Sequence, residues 1–363
     1  MIPGTLTRYF GAQFMGVVAS VFTGLLVLVL MIDFVEMLRR TSALKHVSTL
    51  VIAEITFYRV FHITEQVMPF TVLTAAMACF LNLSRRLELV VARSAGLSAW
   101  QFIMPAVVVA LLIGLFGTTL YNPLAAYLRE QSKKLEASLY GVTGRSMFEG
   151  YGGFWVRQRS GDGQAIINAK TSRQQGVELA GVTVFTLDNK DGFISRIEAK
   201  RATLRQGHWH IEEARVYRDG VPPADQASIK LPTSLTIAQV QESFATPETV
   251  PFWQLSSYIQ LAENSGLAAA GYRLQYYQLL ALPFYLATMV LLAAAVSLRL
   301  FRFGGVQKMV LIGIAAGFLL YVLSKITGDL SKAGLMPSLA AAALPPFVGG
   351  VTALTALLYQ EDG

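Results

Sequence analysis

The stretch Leu274–Leu298, LQYYQLLALPFYLATMVLLAAAVSL, runs for 25 residues without a charged side chain. A helix needs about 20 largely apolar residues to cross roughly 30 Å of hydrocarbon, so this stretch is long enough to span a membrane. Phe14–Ile32, FMGVVASVFTGLLVLVLMI, and Ser94–Leu128 are equally free of charge. Working outward from these, six segments read as spans: Tyr9–Ile32, Gln66–Ser84, Trp100–Tyr121, Leu274–Leu298, Met309–Ser324 and Leu339–Tyr359. The fifth is short, but Lys308 and Lys325 at its ends can snorkel to the interface. Between the third and the fourth, Arg129–Glu263 holds 31 of the 53 charged residues. The layout predicts three helices, an aqueous domain, then three more helices.

Composition supports this reading. With 53% hydrophobic and 15% charged residues, the chain is too apolar for an ordinary soluble protein, where roughly a quarter is charged. The first apolar run is read as a retained span, too long for a signal-peptide core and without a small-residue cleavage site before Asp33. The single cysteine, Cys79, lies inside the second apolar segment, so there is no disulfide framework and no zinc spacing. A formal charge of +7 suits anionic lipid or an anionic substrate. Nucleic acid is disfavoured, because the basic residues are dispersed through an equally acidic middle domain.

The short loops Arg85–Arg93 and Arg299–Lys308 carry three basic residues each. The positive-inside rule puts them in the cytoplasm, with both termini cytoplasmic and the polar domain outside. Arg39, Arg40 and Lys45 then lie outside, against the rule, and call for another explanation.

Within the polar block, Phe154–Arg159, Ala165–Ala169, Val182–Leu187, Ile194–Ala199, Ala214–Arg218 and Ser228–Ser234 are rich in Val, Ile, Thr and aromatics, separated by turn signals such as Asp219-Gly220. Many short, evenly spaced strands predict a sandwich or jelly roll. Pro123–Leu139 reads as a polar continuation of the third helix. Pro251 sits where it can open a short helix leading to the fourth span. The predicted fold is a six-helix membrane protein with an inserted all-β jelly-roll domain. Residues 1–130 hold spans one to three, 131–265 the β domain with flanking helices, and 266–363 spans four to six.

Residues 85–96 are too short to span. Leu87, Val90 and Val91 recur at i, i+3 and i+4, and Gly96 is a helix stop. The pattern predicts a short amphipathic helix that either lies on the membrane surface or docks into a soluble partner, as coupling helices of ABC permeases do.

Several stretches carry a family resemblance. They are Phe34-Val35-Glu36-Met37-Leu38-Arg39-Arg40, Glu88-Leu89-Val90-Val91 through Ser94-Ala95-Gly96, Phe154-Trp155-Val156, and Gly317-Phe318-Leu319-Leu320-Tyr321-Val322-Leu323. In this order the chain resembles the lipopolysaccharide export permeases LptF and LptG, more closely the LptG branch, over nearly its whole length. The resemblance implies a periplasmic β jelly roll, an inner-membrane location and pairing of an F-type with a G-type permease. It also implies a dimer of LptB-type ATPase that binds ATP and Mg, and a single-span LptC partner that receives lipopolysaccharide. Basic residues at Arg39 and Arg40 would contact substrate, and spans one, two and five would line an acyl-chain cavity.

Candidate residues follow. Arg39, Arg40 and Lys45 would meet lipid A phosphates, for which the guanidinium fork is suited. The local alternative is pairing of Arg40 with Glu36, four residues away on one helix. Phe70, Phe318 and Tyr321 would line the acyl cavity, against the plainer reading of helix packing or lipid exposure. Arg86, Glu88, Val91 and Arg93 would couple to the ATPase, against a solvated helix face. Asp33 and Asp329 sit near the interface, where charge is cheap, and are assigned no chemistry. His208, His210 and Glu212 alternate on a strand and share a face, but read as solvated or packed side chains rather than metal ligands. No G-x-x-x-x-G-K-[ST] phosphate loop occurs, so ATP hydrolysis belongs to a partner and this chain needs no cofactor. The alternatives are an ABC permease for another lipid or for lipoprotein, and a non-transporting membrane anchor for a periplasmic protein.

Overall fold

The computed structural model describes residues 4–42, 48–86, 88, 94, 98–140, 154–160, 163–173, 177–188, 192–218, 220–233, 246–264, 269–301 and 306–361. The chain divides into two compact units. One comprises Met1–Leu135, Glu248–Leu255 and Ala270–Gly363, the other Glu136–Pro247 and Ser256–Ala269.

The first unit is helical, and the later residues of two of its helices, Asn122–Tyr140 and Phe252–Asn264, belong to the second. In chain order come α1 (Gly4–Thr41), α2 (Thr49–Arg85) and α3 (Ala99–Phe116), which runs through a π-turn at Gly117–Tyr121 into α4 (Asn122–Tyr140). After the β insert come α5 (Phe252–Asn264), α6 (Ala270–Phe301), α7 (Val306–Lys332) and α8 (Ser338–Glu361). Six helices are long and apolar enough to cross a membrane, matching the six predicted spans. Several are much longer than their apolar runs, α1 and α2 among them. The 38 residues of α1 extend about 57 Å at 1.5 Å per residue, nearly twice the hydrocarbon thickness. The second begins at Thr49, seventeen residues before its predicted start at Gln66. Glu54, Arg59 and Glu65 interrupt the hydrophobicity of that first half, and pairing with neighbouring helices, described below, accounts for Arg59 and Glu65.

Two helices form the centre. α6 packs against α2, α3, α7 and α8, and α2 also packs against α1 and α7. Their shared core is rich in small residues, with Ala75, Ala76, Ala106, Ala110, Ala293 and Ala294 all buried. Lipid tails are as apolar as leucine, so spans associate through close packing and interhelical hydrogen bonds, which small residues permit. Gly114 illustrates this: a Cβ there would lie 2.3 Å from Pro283 Cα of α6.

Prolines then fix which polar groups must meet. A proline donates no hydrogen bond to the carbonyl four residues earlier, and in hydrocarbon that carbonyl needs another donor. Pro283 leaves Leu279 O, and the Thr118 hydroxyl donates to it at 2.7 Å. Pro345 leaves Ala341 O, which accepts from the Thr327 hydroxyl at 2.9 Å. Pro123 leaves Thr119 O, which accepts from the Trp253 indole at 3.1 Å. Each bond joins two different helical segments.

The second unit contains one antiparallel sheet of β1 (Phe154–Ser160), β2 (Gly163–Arg173), β3 (Glu178–Leu187), β4 (Phe193–Arg205), β5 (His208–Arg218) and β6 (Val221–Pro232), in that spatial order. All six predicted strands are present, most of them longer than predicted. The predicted end of the fourth, Ala199, falls short because β4 continues to Arg205. There a tight turn with Gly207 at φ +79° pairs Arg205 with His208. The inserted all-β domain agrees with expectation. Its described strands form a meander, and the crossovers of a jelly roll are not among the described residues.

The sheet is nonetheless two-sided, because it is creased. The row Lys170, Gly181, Lys200, Glu213, Ala227 is skipped in all four pairings from β2 to β6. Gly181 has φ +63°, and Glu213, at +52°, is the one non-glycine with positive φ among the described residues. The inward side chains slip by one at this row. In β5, Trp209 and Ile211 are buried before it and Ala214 and Val216 after it, where strict alternation would bury residue 213. β3 repeats the slip with Leu179, Val182 and Val184. Residues from both sides of the row belong to one buried cluster around Trp209. Pro222 and Pro223 lie in β6, an edge strand, where missing ladder donors are tolerated. His208, His210 and Glu212 lie off the Trp209 face, with His210 3.5 Å from Glu212. Among the described residues no three His, Cys, Asp or Glu side chains gather to hold a metal.

Replacing Thr118 by valine keeps its shape and removes the donor to Leu279 O. Unfolding of the full chain in mixed micelles should show a loss of about 1 kcal/mol. Thr119→Val serves as control, because the Thr119 hydroxyl bonds only within its own helix, to Leu115 O, and should leave stability unchanged.

Candidate substrate and coupling sites

The apolar run of α1 stops at Ile32, and the next residue faces α2. Asp33 accepts from Arg59 Nε at 3.1 Å on both carboxylate oxygens, and Arg59 Nη2 also binds Oδ1. The two side chains are only 10% and 14% exposed. Asp33, to which sequence reasoning gave no role, is therefore the acidic half of a buried bidentate pair tying α1 to α2. Arg59 was not singled out either.

Beyond that pair α1 continues to its basic last turn. Arg39 binds Glu36 through Nε at 2.9 Å and Nη2 at 3.0 Å, and Arg40 Nε binds the same carboxylate at 2.8 Å. Both arginines are exposed, at 77% and 59%. One carboxylate thus orders two guanidiniums and leaves the group with a net positive charge. The local alternative, pairing of Arg40 with Glu36, is present and extends to Arg39. Such exposed pairs contribute little to stability. Lys45 lies outside the described residues.

Of the three aromatic candidates, the structure brings two together. The rings of Phe70 on α2 and Tyr321 on α7 are 5.6 Å apart, centroid to centroid, at 57°. The approach depends on Gly313 and Gly317 of α7, one turn apart. A Cβ on Gly317 would lie 2.4 Å from Leu73, and one on Gly313 2.5 Å from Met77. This small-x-x-x-small spacing was a readable signal that α7 packs closely on another helix, but not on which one. Phe318 is 55% exposed, on the apolar outer surface of α7. Since α1 and α7 both pack on α2, the spans expected to line the cavity are neighbours.

At the other end of α2, Arg86 caps the helix, its N–H bonded to Asn82 O at 3.0 Å, with its side chain exposed. Glu88 accepts a hydrogen bond from the Tyr9 hydroxyl of α1 at 3.1 Å. Val91 and Arg93 lie outside the described residues, as does most of the predicted coupling helix.

One cluster was missed entirely. Asn122, directly after the π-turn, donates through Nδ2 to Glu65 Oε1 of α2 at 2.7 Å and accepts at Oδ1 from the Phe252 backbone N–H at 2.9 Å. His62 Nδ1 stands 3.9 Å from the other Glu65 oxygen. The Tyr121 hydroxyl donates to Phe61 O at 3.1 Å and lies 2.6 Å from Thr64 Oγ1. The Phe252 ring stacks on Tyr276 of α6 at 5.4 Å. The available signal was an Asn-Pro step at the end of one apolar run and a glutamate at the edge of another.

Three spans, an antiparallel sheet and three more spans make this a multi-spanning membrane protein with an inserted β unit. The profile of the lipopolysaccharide export system permease LptF/LptG family matches residues 8–359, and the chain belongs to that family. It is 24% identical to the lipopolysaccharide export system permease protein LptG of Haemophilus influenzae, over 94% of both chains. It is 22% identical to the LptG protein of Escherichia coli K12, again over 94% of both. The resemblance read from the sequence motifs, including its leaning to LptG, is borne out.

Asp33→Ala removes the carboxylate from a buried cation and should cost about 3 kcal/mol in equilibrium unfolding of the full chain in lipid. Glu36→Ala, among exposed side chains, should leave the same measurement unchanged within error.

Proposed function

We propose that this chain is the G-type permease subunit of an ABC transporter that extracts lipopolysaccharide from the bacterial inner membrane and passes it to a periplasmic bridge. The observation that carries the reading is the family match over residues 8–359, which runs through all six spans and the inserted sheet. The chain itself performs no bond chemistry. An LptB-type ATPase dimer binds Mg and ATP and does the hydrolysis. An F-type permease completes the cavity, and an LptC-type protein accepts the substrate on the periplasmic side. Both termini face the cytoplasm, and the sheet lies in the periplasm.

Arg39 and Arg40 are the residues proposed to meet the lipid A phosphates, with Lys45 nearby in sequence. What supports them is exposure, a shared counter-ion and position. Glu36 holds two planar donors side by side. A phosphate with two or more negative charges can replace or join that single carboxylate through charge-assisted bonds stronger than neutral ones. Phe70, Tyr321 and Phe318 are proposed to meet acyl chains in a cavity lined by α1, α2 and α7. Arg86, Glu88, Val91 and Arg93 are proposed to receive the ATPase, the Tyr9 bond holding Glu88 against the start of α1.

Purification in mild detergent should yield the chain with an ATPase, a second permease and lipopolysaccharide. Another lipid in its place would favour the alternative permease reading, and absence of an ATPase would favour a membrane anchor. The double variant Arg39→Ala/Arg40→Ala should abolish photo-crosslinking to lipopolysaccharide while the complex still assembles. Undiminished cross-linking would remove both residues from the site. Glu88→Ala should lower co-purification of the ATPase or its stimulated hydrolysis, and wild-type values for both would remove Glu88 from the contact.

A further inference from the structure

The β insert is joined to the bundle by two stretches of chain. The outbound one is α4, whose first residue is Asn122. The returning one is α5, whose first residue is Phe252. Both are fastened at one side chain: the Asn122 amide accepts from the Phe252 N–H and donates to the Glu65 carboxylate of α2. Its position follows from the backbone. The π-turn adds a residue to the helix, so the Asn122 N–H bonds five residues back, to Gly117 O. Pro123 then leaves Thr119 O without a helical donor, and that carbonyl takes the Trp253 indole N–H of the same returning segment. Asn122 itself is buried, at 2% exposure, and Glu65 is 10% exposed, so neither bond is readily replaced by water.

We propose that Asn122 is a positioning residue for transport. It clamps the outbound and returning connections of the insert to each other and, through Glu65, to α2, so that displacement of α2 during the transport cycle is delivered to the insert rather than lost in a loose junction. This rests on the functional reading above for the identity of the cargo, but the clamp is a claim about this chain alone. It uses an amide because the site needs one acceptor and one donor on the same side chain, facing an N–H and a carboxylate.

That requirement sets the test. Asn122→Asp keeps the acceptor for Phe252 and puts a second carboxylate against Glu65. Glu65→Gln alone keeps an acceptor for Asn122. Combining the two restores a donor–acceptor pair with its direction reversed, since the amide introduced on α2 can donate to the carboxylate introduced at the start of α4. In the complete complex in nanodiscs, Asn122→Asp should lower lipopolysaccharide transferred per ATP hydrolysed by about tenfold, the scale of one lost charge-assisted bond. Glu65→Gln should stay near wild type, and the double variant should return to it. Independently of transport, spin labels at Leu50→Cys on α2 and Gln254→Cys on α5, both exposed, in a Cys79→Ala background, should give one narrow distance distribution. Asn122→Asp should broaden it, and the added Glu65→Gln should narrow it again. An unchanged transfer ratio in Asn122→Asp, or a defect that Glu65→Gln does not repair, overturns the proposal. If Asn122→Asp fails to assemble, recovery of assembly in the double variant supports the clamp and continued failure overturns it. A wild-type complex that transfers no lipopolysaccharide, with the distance distribution still broadened by Asn122→Asp and narrowed again by Glu65→Gln, refutes the functional reading and leaves the clamp standing.

Discussion

In hydrocarbon an unpaired backbone carbonyl has no water to turn to, and the prolines inside the helices impose that problem on this chain. Pro123, Pro283 and Pro345 each free a carbonyl, and Trp253, Thr118 and Thr327 each supply the missing donor from another helical segment. These bonds decide which helices touch and at what height. The Thr118 bond aligns the third span with α6 beside the close approach of Gly114 to Pro283. The Trp253 bond brings the returning chain to the π-turn, where Asn122 is already aimed at α2. Small residues supply the remaining closeness, so the bundle is held by contact and directed polar bonds rather than by expulsion of water.

The aqueous unit meets a different constraint. Six strands in a single meander have two faces and one core to bury. The extra residue along the Lys170–Gly181–Lys200–Glu213–Ala227 row resolves this by shifting the inward face by one position in successive strands. The hydrophobic residues before and after the row then join one cluster around Trp209. Only glycine adopts positive φ without steric penalty, so Gly181 fits the row naturally, whereas Glu213 is held there by its neighbours in the sheet.

Charge at the C-terminal end of the first span is used in two ways. Asp33 and Arg59 are withdrawn from solvent and bind each other, which makes them part of the scaffold. Just beyond Asp33 on the same helix, Glu36, Arg39 and Arg40 stay in contact with solvent, and their single carboxylate leaves positive charge in excess. A hydropathy reading cannot separate these cases, because both are charged residues at the end of an apolar run. For the basic pair the sequence signal was its misfit to the positive-inside rule. For Asp33 nothing local distinguished a cheap interfacial charge from half of an ion pair, since its partner lies 26 residues away on another helix.

The sequence by itself determined the class, the number of spans, the presence of a β insert between the third and fourth, and the family. Spans are written as apolar runs of sufficient length and strands as short β-rich runs between turn residues, and both signals are local. Tertiary structure decided the rest: the seventeen added residues at the start of α2, the crease in the sheet, the α2–α7 contact through Gly313 and Gly317, and the Asn122 clamp. Each of these depends on a partner distant in the chain that satisfies a charge, a carbonyl or a close approach. The identity of that partner is a property of packing, on which the local pattern of the chain is silent.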